Sequence, residues 1–132
     1  MRLDLDCVRD VLLAVEACDF SEFTNIEKLA KVLPGYSEED LWYTCLKLGE
    51  GDYLSLLTIE IPGSYRPGVK AVVDLTYQGH EFLNTIRDGV RFQKAKRIAG
   101  GLKDFSLSAL RTISEGIAAA AITATLQRGD LL

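Results

Sequence analysis

In residues 54–75, LSLLTIEIPGSYRPGVKAVVDL, the spacing of the apolar residues changes from the helical period to a period of two, and the predicted fold depends on this change. Apolar side chains that repeat every second residue are typical of half-buried strands. This pattern occurs on both sides of a PGSYRPG linker, at Leu57, Ile59 and Ile61 and then at Val69, Ala71, Val73 and Leu75. Because Pro and Gly favour turns and stand at both ends of the linker, the stretch is predicted to be a β-hairpin.

Upstream of the hairpin, the apolar residues follow the helical period. Val8, Val11 and Val15 recur at the spacing of one helix face, which predicts an amphipathic helix over residues 5–17 with Asp4 or Asp6 as its N-cap. The segment NIEKLAKVL predicts a second helix, which begins after Thr24 or Asn25 and ends before the next Pro, since Pro disfavours helix in the residue before it.

A third helix is predicted over residues 38–49. Ser37 and Asp40 have the spacing of a capping box, in which the first side chain binds a backbone N–H of the opening turn. The inward positions of this helix are Leu41, Cys45 and Leu48. Two more helices are expected after the hairpin.

The first of these C-terminal helices starts at Thr76 and places one apolar side inward, at Phe82, Leu83, Ile86 and Val90. Gly89 is expected to weaken it, and Gly100 with Gly101 to end it. The last helix is predicted over 107–127, capped by Ser106 or Asp104.

These elements predict an α+β protein that is mostly helical. Three helices followed by a hairpin is the order of a winged helix-turn-helix, and two C-terminal helices follow it. A chain of 132 residues suits one domain, so residues 1–132 are interpreted as a single domain. Its winged-helix-like part is expected over 1–76 and its helical, oligomerising part over 77–132.

Bulk composition excludes several classes of protein. With 48% hydrophobic and 26% charged residues the chain is unlike a disordered one, and its net charge of −4 argues against coating nucleic acid. No secretory signal or membrane-spanning run is recognised, so we expect a protein of the host cell cytoplasm that does not enter a membrane. Three cysteines without a CxxC pair predict no metal site, and no cofactor is expected.

Four segments, LDCVRDVLLAVE, LPGYSEEDLWYTCLKL, LTYQGHEFLNTIRD and KDFSLSALRTISE, occur in an order that resembles the small phage and prophage proteins grouped as domain of unknown function 2513. The resemblance runs over nearly the whole chain. It implies a fold similar to winged-helix proteins and a mobile-element setting, in which regulators and inhibitors of host defence are both common. It implies no activity and no catalytic residue.

The chain has a single histidine, His80, and no GxSxG, HExxH or P-loop pattern. Because nucleophilic catalysis needs a nucleophile with a base and an orienting group, we predict no catalytic residue and no enzyme. His80 is interpreted as a packing or hydrogen-bonding residue at the junction between strand and helix. Gly79 is expected to let that helix approach the sheet closely.

The positive charge is concentrated in residues 87–103. This segment has a net charge of +5 and leaves −9 to the rest of the chain. If the helix continues through Gly89, three of its cations, Arg87, Arg91 and Lys94, fall within about 60° of one another around the helix axis and can act on one anion. The predicted anion or partner surface consists of Arg87, Arg91, Lys94, Lys96 and Arg97, with Tyr65 and Arg66 of the hairpin as a stacking surface.

DNA binding is the alternative interpretation. The third helix of a winged helix enters the major groove and offers cations or amides to the bases. Here residues 37–52 contain five acidic residues and one basic residue, Lys47, so this helix is poorly suited to enter the major groove of DNA. A transcription regulator would have to contact DNA through the hairpin and the basic segment.

The last helix loses its polar face in its second half, at GIAAAAI, and a helix that is apolar all round requires burial. We therefore predict a homo-oligomer, a dimer or larger, that forms through this helix. The contact residues are expected to be Leu110, Ile113, Ile117, Ala120, Ala121 and Ala124. The combined hypothesis is a non-enzymatic binding protein that sequesters a host or phage protein or a nucleotide-like anion, with a counter-defence role.

Overall fold

The computed structural model of the chain describes residues 1–129. These residues form two compact units, Met1–Leu83 and a second that begins at Asn84. Within them lie six helices and one two-stranded antiparallel sheet, so the protein is α+β and mostly helical. The elements in chain order are α1 (Leu5–Glu16), α2 (Ile26–Val32), α3 (Glu38–Glu50), β1 (Leu54–Ile59), β2 (Gly68–Leu75), α4 (Tyr77–Ile86), α5 (Gly89–Leu102) and α6 (Leu107–Arg128).

The first three helices begin where the sequence predicts. Asp4, Asn25 and Ser37 are their N-caps, and each side chain accepts a hydrogen bond from a backbone N–H in the following turn. These bonds satisfy donors that have no partner inside the helix, which fixes the start of each helix. The predicted helices 5–17 and 38–49 are confirmed to within one residue at each end.

The core of the first unit lies between α1, α3 and the sheet. The three inward residues predicted for α3, Leu41, Cys45 and Leu48, are all fully buried. They pack with the apolar stripe of α1, where Val8, Val11 and Leu12 are likewise buried, because these two helices contact each other directly. This arrangement leaves the opposite side of α3 free to line a groove.

β1 and β2 form the predicted hairpin, but its expected apolar face is right only at Ala71 and Leu75. The register shifts between Ser55 and Leu56 and again between Leu57 and Thr58. At each shift one residue of β2, Val73 and then Lys70, has no partner in β1, so the alternation is interrupted in β2 and is regular in β1. Exposed side chains are therefore Leu57, Ile59, Ile61 and Val73, whereas the buried ones are Leu54, Ala71, Val72 and Leu75.

The loop between α1 and α2 adds one pair to the free edge of β2. The backbone N–H of Thr24 donates to the carbonyl of Val72 at 3.1 Å, and the N–H of Val72 donates back at 2.8 Å. Three chain segments thus lie side by side, in the order Thr24, β2, β1. This bridge ties the loop that leads into α2 to the hairpin.

α4 approaches the start of the hairpin closely at Gly79. A Cβ atom at this position would overlap the backbone carbonyl oxygen of Tyr53, and it would lie 3.3 Å from Cδ2 of Leu75. The expected role of Gly79 in close approach is confirmed. One turn further on, the Phe82 ring packs against the Tyr53 ring with 4.9 Å between centroids.

The helix that was expected to continue through Gly89 ends at Ile86, and α5 begins at Gly89. The reason is a new N-cap, since the Asp88 carboxylate accepts a hydrogen bond from the backbone N–H of Arg91 at 2.9 Å. Val90 consequently lies outside the apolar stripe of α4 and is 80% exposed, so its predicted inward position is wrong.

α5 continues through Gly100 and Gly101, which were expected to end it. It ends at Lys103, which adopts a left-handed backbone conformation with φ of 55°. α6 begins after the predicted cap Ser106 and packs against α5. The buried residues of this pair are Phe92, Ala95 and Ala99 on α5, and Leu110 and Ser114 on α6.

Across residues 1–129, no helix combines the length and the apolar character that crossing a membrane requires. The longest, α6, spans 22 residues but carries charged side chains in its first half, including an Arg111–Glu115 pair at 2.9 Å.

Candidate functional site

The first candidate site is the basic face of α5, defined by Arg91, Lys94 and Arg97. Phe92, Ala95 and Ala99 are buried on one side of this helix. The three cations project from the remaining surface and are all exposed. Because they follow one another at intervals of three residues, neighbours along the helix are about 60° apart. No Asp or Glu lies between Gly89 and Lys103, so the charge of this face has one sign.

Two other members of the predicted anion surface stand apart from the basic face of α5. Arg87 lies in the break before α5, and its guanidinium donates to the Asn84 side chain at 3.3 Å. The condition for grouping Arg87 with Arg91 and Lys94, a helix that continues through Gly89, is not met. Lys96 is half-buried, with its ammonium 5.5 Å from the Phe92 ring centroid, so part of its side chain serves packing.

The second candidate site is a groove in the first unit, between α3 and the linker of the hairpin. The Tyr43 ring lies at its centre, with the Lys47 ammonium 5.5 Å and the Arg66 guanidinium 5.3 Å from the ring centroid. The indole N–H of Trp42 donates to the carbonyl of Pro67 at 2.9 Å and so fastens the linker to the helix. These contacts hold the groove open without filling it.

The groove consists of two adjoining depressions of about 560 and 530 Å³. Both are lined by Tyr43, Leu46, Tyr65 and Arg66. Glu39 and Trp42 line the first, and Lys47 and Glu50, joined by a salt bridge of 2.9 Å, line the second. A volume of several hundred Å³ is typical of small-molecule sites.

Two features of this groove favour ligand binding. Tyr65 is fully exposed, so both faces of its ring are open to a planar partner. Arg66, its neighbour, has no carboxylate within ion-pair distance among residues 1–129, and its charge is directed only at the Tyr43 ring. The predicted stacking pair Tyr65 and Arg66 thus occupies a groove of the first unit, whereas Arg91, Lys94 and Arg97 belong to the second.

Most residues of this groove were not predicted from the sequence as site residues. Leu41 is inward, and at 100° per residue the next two positions turn away from it, so the aromatic side chains of Trp42 and Tyr43 were an available signal. Glu39 and Lys47 carried no such signal, because charged residues on the outer face of a helix are ordinary.

The six residues predicted for oligomerisation differ in their exposure. Leu110 is fully buried within its own chain. Ile113, Ile117 and Ala121 are half-buried, whereas Ala120 and Ala124 are exposed. Two larger apolar side chains in the same half of α6, Ile122 and Leu126, are each 59% exposed. The apolar surface available to a second chain therefore lies beyond Gly116.

Two buried thiols of the first unit, Cys7 and Cys45, are held protonated. Burial raises the pKa of Cys7 to about 11, against a hydrogen bond from the Thr44 hydroxyl at 3.3 Å that lowers it. Burial also raises the pKa of Cys45 to about 12. Since the thiolate is the nucleophilic form, neither residue is suited to covalent chemistry near neutral pH. His80 lies exposed on α4, so of its two expected roles, packing or hydrogen bonding at the junction, packing is wrong, and its backbone N–H donates to the carbonyl of Thr76 at 3.0 Å.

Residues 2–103 match the family described as "Hypothetical protein (DUF2513)". The matched range contains α1 to α5 and ends before α6, so the segment KDFSLSALRTISE lies almost wholly outside it. No curated protein and no solved structure matches the chain significantly. Because the match covers most of the sequence, the chain belongs to the DUF2513 family.

Proposed function

We propose that this protein is a non-enzymatic binding protein that holds an anionic partner on the basic face of α5. The observation that carries the proposal is the one-signed, exposed surface of Arg91, Lys94 and Arg97. An ordinary solvated helix face mixes acids and bases, which form pairs at intervals of three or four residues. A face that lacks such pairs keeps its charge available to a partner.

The charge of the whole chain supports the same proposal. From Met1 to Leu83 there are seven Lys or Arg against fifteen Asp or Glu, a formal net charge of −8. From Asn84 onward there are eight against four, a net charge of +4. Such an asymmetry attracts a large anionic partner to the second unit in preference to the first, which orients the encounter.

The proposed partner is an acidic surface of a host or phage protein, or a nucleotide-like anion. The phage or prophage setting comes from the family resemblance, and within it we propose that the protein sequesters this partner as a means of counter-defence. The protonated thiols Cys7 and Cys45 support a role without catalysis. A cytoplasmic location belongs to the same proposal.

Charge reversal tests this function. The triple variant Arg91→Glu, Lys94→Glu, Arg97→Glu should lose the partner that co-purifies with the tagged wild-type protein from host cells. The matched control reverses three cations of the first unit, Lys28, Lys31 and Lys70, which are also exposed. Mass spectrometry of the recovered proteins and small molecules provides the measurement. Equal recovery by both triple variants would show that the basic face of α5 is not the binding surface.

A DNA-binding regulator with a winged-helix fold is the second candidate. The bridge between Thr24 and Val72 favours it, because a short segment between the first two helices pairs with the second hairpin strand, as the winged-helix arrangement requires. Against it, α3 opens with Glu38, Glu39 and Asp40, which repel phosphate. Fluorescence polarisation of a labelled DNA duplex at low salt distinguishes the two candidate functions. Tight, salt-dependent binding of the DNA would favour the regulator.

We further propose that the protein forms a homo-oligomer, a dimer or larger, through the second half of α6. The support is the exposure of Ile122 and Leu126 on a stretch, Gly116 to Gln127, that contains no charged residue. Burial of such side chains against a second copy stabilises association by about 25 cal/mol for each Å² of apolar surface. Ala120 and Ala124 are small enough to let the two helices approach closely.

A further inference from the structure

We propose that the groove between α3 and the hairpin linker is a binding site for a guanine nucleotide. The groove brings together an open aromatic ring, a carboxylate and a guanidinium, at Tyr65, Glu39 and Arg66. This inference goes beyond the anionic partner of α5 and does not depend on it, because every residue involved belongs to the first unit.

The aromatic side chains supply the surface for the base. Tyr65 is fully exposed at the rim, and Trp42 lines the same depression with its indole held by Pro67. Unpaired bases stack on aromatic side chains, and each such stack contributes about 1–3 kcal/mol by alanine substitution.

Glu39 selects the base. Its carboxylate lines the depression of about 560 Å³ and forms no ion pair or side-chain hydrogen bond with the rest of residues 1–129. An ionised carboxylate only accepts hydrogen bonds, and its two oxygens match a pair of adjacent donors. Guanine presents such a pair, N1–H and the N2 amino group, on its Watson–Crick edge. Adenine presents an acceptor, N1, beside its amino group, so a carboxylate repels one of the two positions.

Arg66 and Lys47 are placed to hold the phosphate. Arg66 lines both depressions and has no carboxylate partner among residues 1–129, while the Lys47 ammonium, paired with Glu50, lies 5.5 Å from the centroid of the same Tyr43 ring. A guanidinium pairs with two phosphate oxygens at once, which fixes the orientation of the ligand. The base then occupies the first depression and the phosphate points toward the second, so that one nucleotide contacts both.

The single tryptophan of the chain, Trp42, lines the groove and reports on its occupancy. Quenching of its fluorescence on titration with GMP should saturate, whereas AMP should bind at least tenfold more weakly. Guanosine should bind more weakly than GMP and more tightly than adenosine. Inorganic phosphate should cause no saturable quenching. Equal affinities for GMP and AMP would overturn the assignment of Glu39, and failure of GMP to bind would overturn the site.

Variants separate the three contacts. Glu39→Gln should reduce the affinity for GMP at least tenfold and remove the preference over AMP, while the control Glu60→Gln, an exposed carboxylate outside the groove, should change neither. Arg66→Gln should weaken GMP tenfold and leave guanosine unchanged, and Lys70→Gln is its control. Tyr65→Ala should weaken both ligands. A Glu39→Gln protein that keeps both affinity and preference would contradict the proposal, provided that its circular dichroism is that of the wild type.

A free guanine nucleotide and an unpaired guanosine of a single strand present the same groups to this site. A short single-stranded RNA with one guanosine among uridines tests the source. Binding of this RNA more tightly than GMP assigns the site to a strand, and weaker or equal binding assigns it to the free nucleotide. Failure of both ligands to compete with each other for the wild-type groove would overturn a common site.

Discussion

Gly79 is the residue at which the backbone of α4 lies closest to the start of the hairpin. A methyl group here would overlap the carbonyl oxygen of Tyr53, and a backbone atom cannot move aside as a flexible side chain can. We predict that Gly79→Ala lowers the free energy of unfolding by about 2 kcal/mol or more, the cost typical of overpacking. Urea denaturation, followed by circular dichroism, measures the change.

The control for this prediction is Gly35→Ala, in the same unit. A Cβ at Gly35 meets no atom within 4 Å, so this variant should change stability by less than about 0.5 kcal/mol. A Gly79→Ala protein as stable as the Gly35→Ala protein would mean that α4 can shift away from Tyr53 at little cost.

The buried thiols predict a loss of stability at alkaline pH. Burial raises the pKa of Cys45 from 9.0 to about 12 and that of Cys7 to about 11, so the folded state binds these protons more tightly than the unfolded state. The stabilisation is fully present below pH 9 and is lost as the pH rises toward 11 and 12. Each group lowers the free energy of unfolding by about 1.4 kcal/mol per pH unit in that range.

Urea titrations between pH 8 and 11 test this prediction with Cys45→Ser and Cys45→Ala. Neither variant ionises at this position, so both should show a shallower decline with pH than the wild type, whatever their stability at pH 8. A residual slope should persist from Cys7 and from Tyr36, whose pKa is raised by burial and by its hydrogen bond to Asp10. An unchanged slope in both variants would contradict the role of Cys45.

At the scale of elements, helix starts were predicted well because they depend on local chemistry. The caps Asp4, Asn25, Ser37 and Ser106 are each a single side chain bonded to the next turn. The buried face of the hairpin was predicted only in part, because the pairing skips Lys70 and Val73 of β2 and strict alternation does not anticipate this. Asp88 is a second case in which apolar spacing misled the prediction. The spacing predicted one helix through Gly89, but Asp88 is the N-cap of a new helix, α5.

The packing of α5 against α6 contains one polar atom that suggests a stabilising change. The hydroxyl of Ser114 is buried and has no hydrogen-bond partner within residues 1–129. A buried hydroxyl without a partner costs about 1–3 kcal/mol, and alanine also has the higher helix propensity. We predict that Ser114→Ala raises the free energy of unfolding by about 1 kcal/mol.

Ser108→Ala is the matched control for this change, because Ser108 is exposed on the same helix and should gain only a few tenths of a kcal/mol from propensity. Thermal unfolding of the two variants side by side measures the difference. A larger gain for Ser108→Ala than for Ser114→Ala would mean that the buried hydroxyl is satisfied in solution.

At the scale of the whole molecule, the candidate sites were only partly within reach of the sequence. The basic segment was evident from charge alone, and in the structure Arg91, Lys94 and Arg97 are exposed on α5. The groove between α3 and the linker was not evident from the sequence. It forms only when the linker at Tyr65 folds back toward α3, where the Trp42 indole N–H donates a hydrogen bond to the carbonyl of Pro67. Contacts between residues so distant in sequence leave no local pattern.

The assembly state is the property of the whole molecule that decides how many binding surfaces one particle presents. If α6 joins two chains, Ile122 and Leu126 become buried, and a charge at either position then faces an apolar surface without a partner. We predict that the wild-type protein elutes as a dimer or larger species, and that the double variant Ile122→Glu, Leu126→Glu is a monomer. Size exclusion with mass measurement by light scattering gives both values.

The matched control is Ser108→Glu, Thr112→Glu, which places two carboxylates at the same spacing on exposed positions of the first half of α6. This variant should keep the assembly of the wild type, since charged residues already occupy that half of the helix. Circular dichroism should show both double variants folded. A monomeric wild-type protein, or an assembly that survives both pairs of substitutions, would show that the apolar half of α6 does not join the chains.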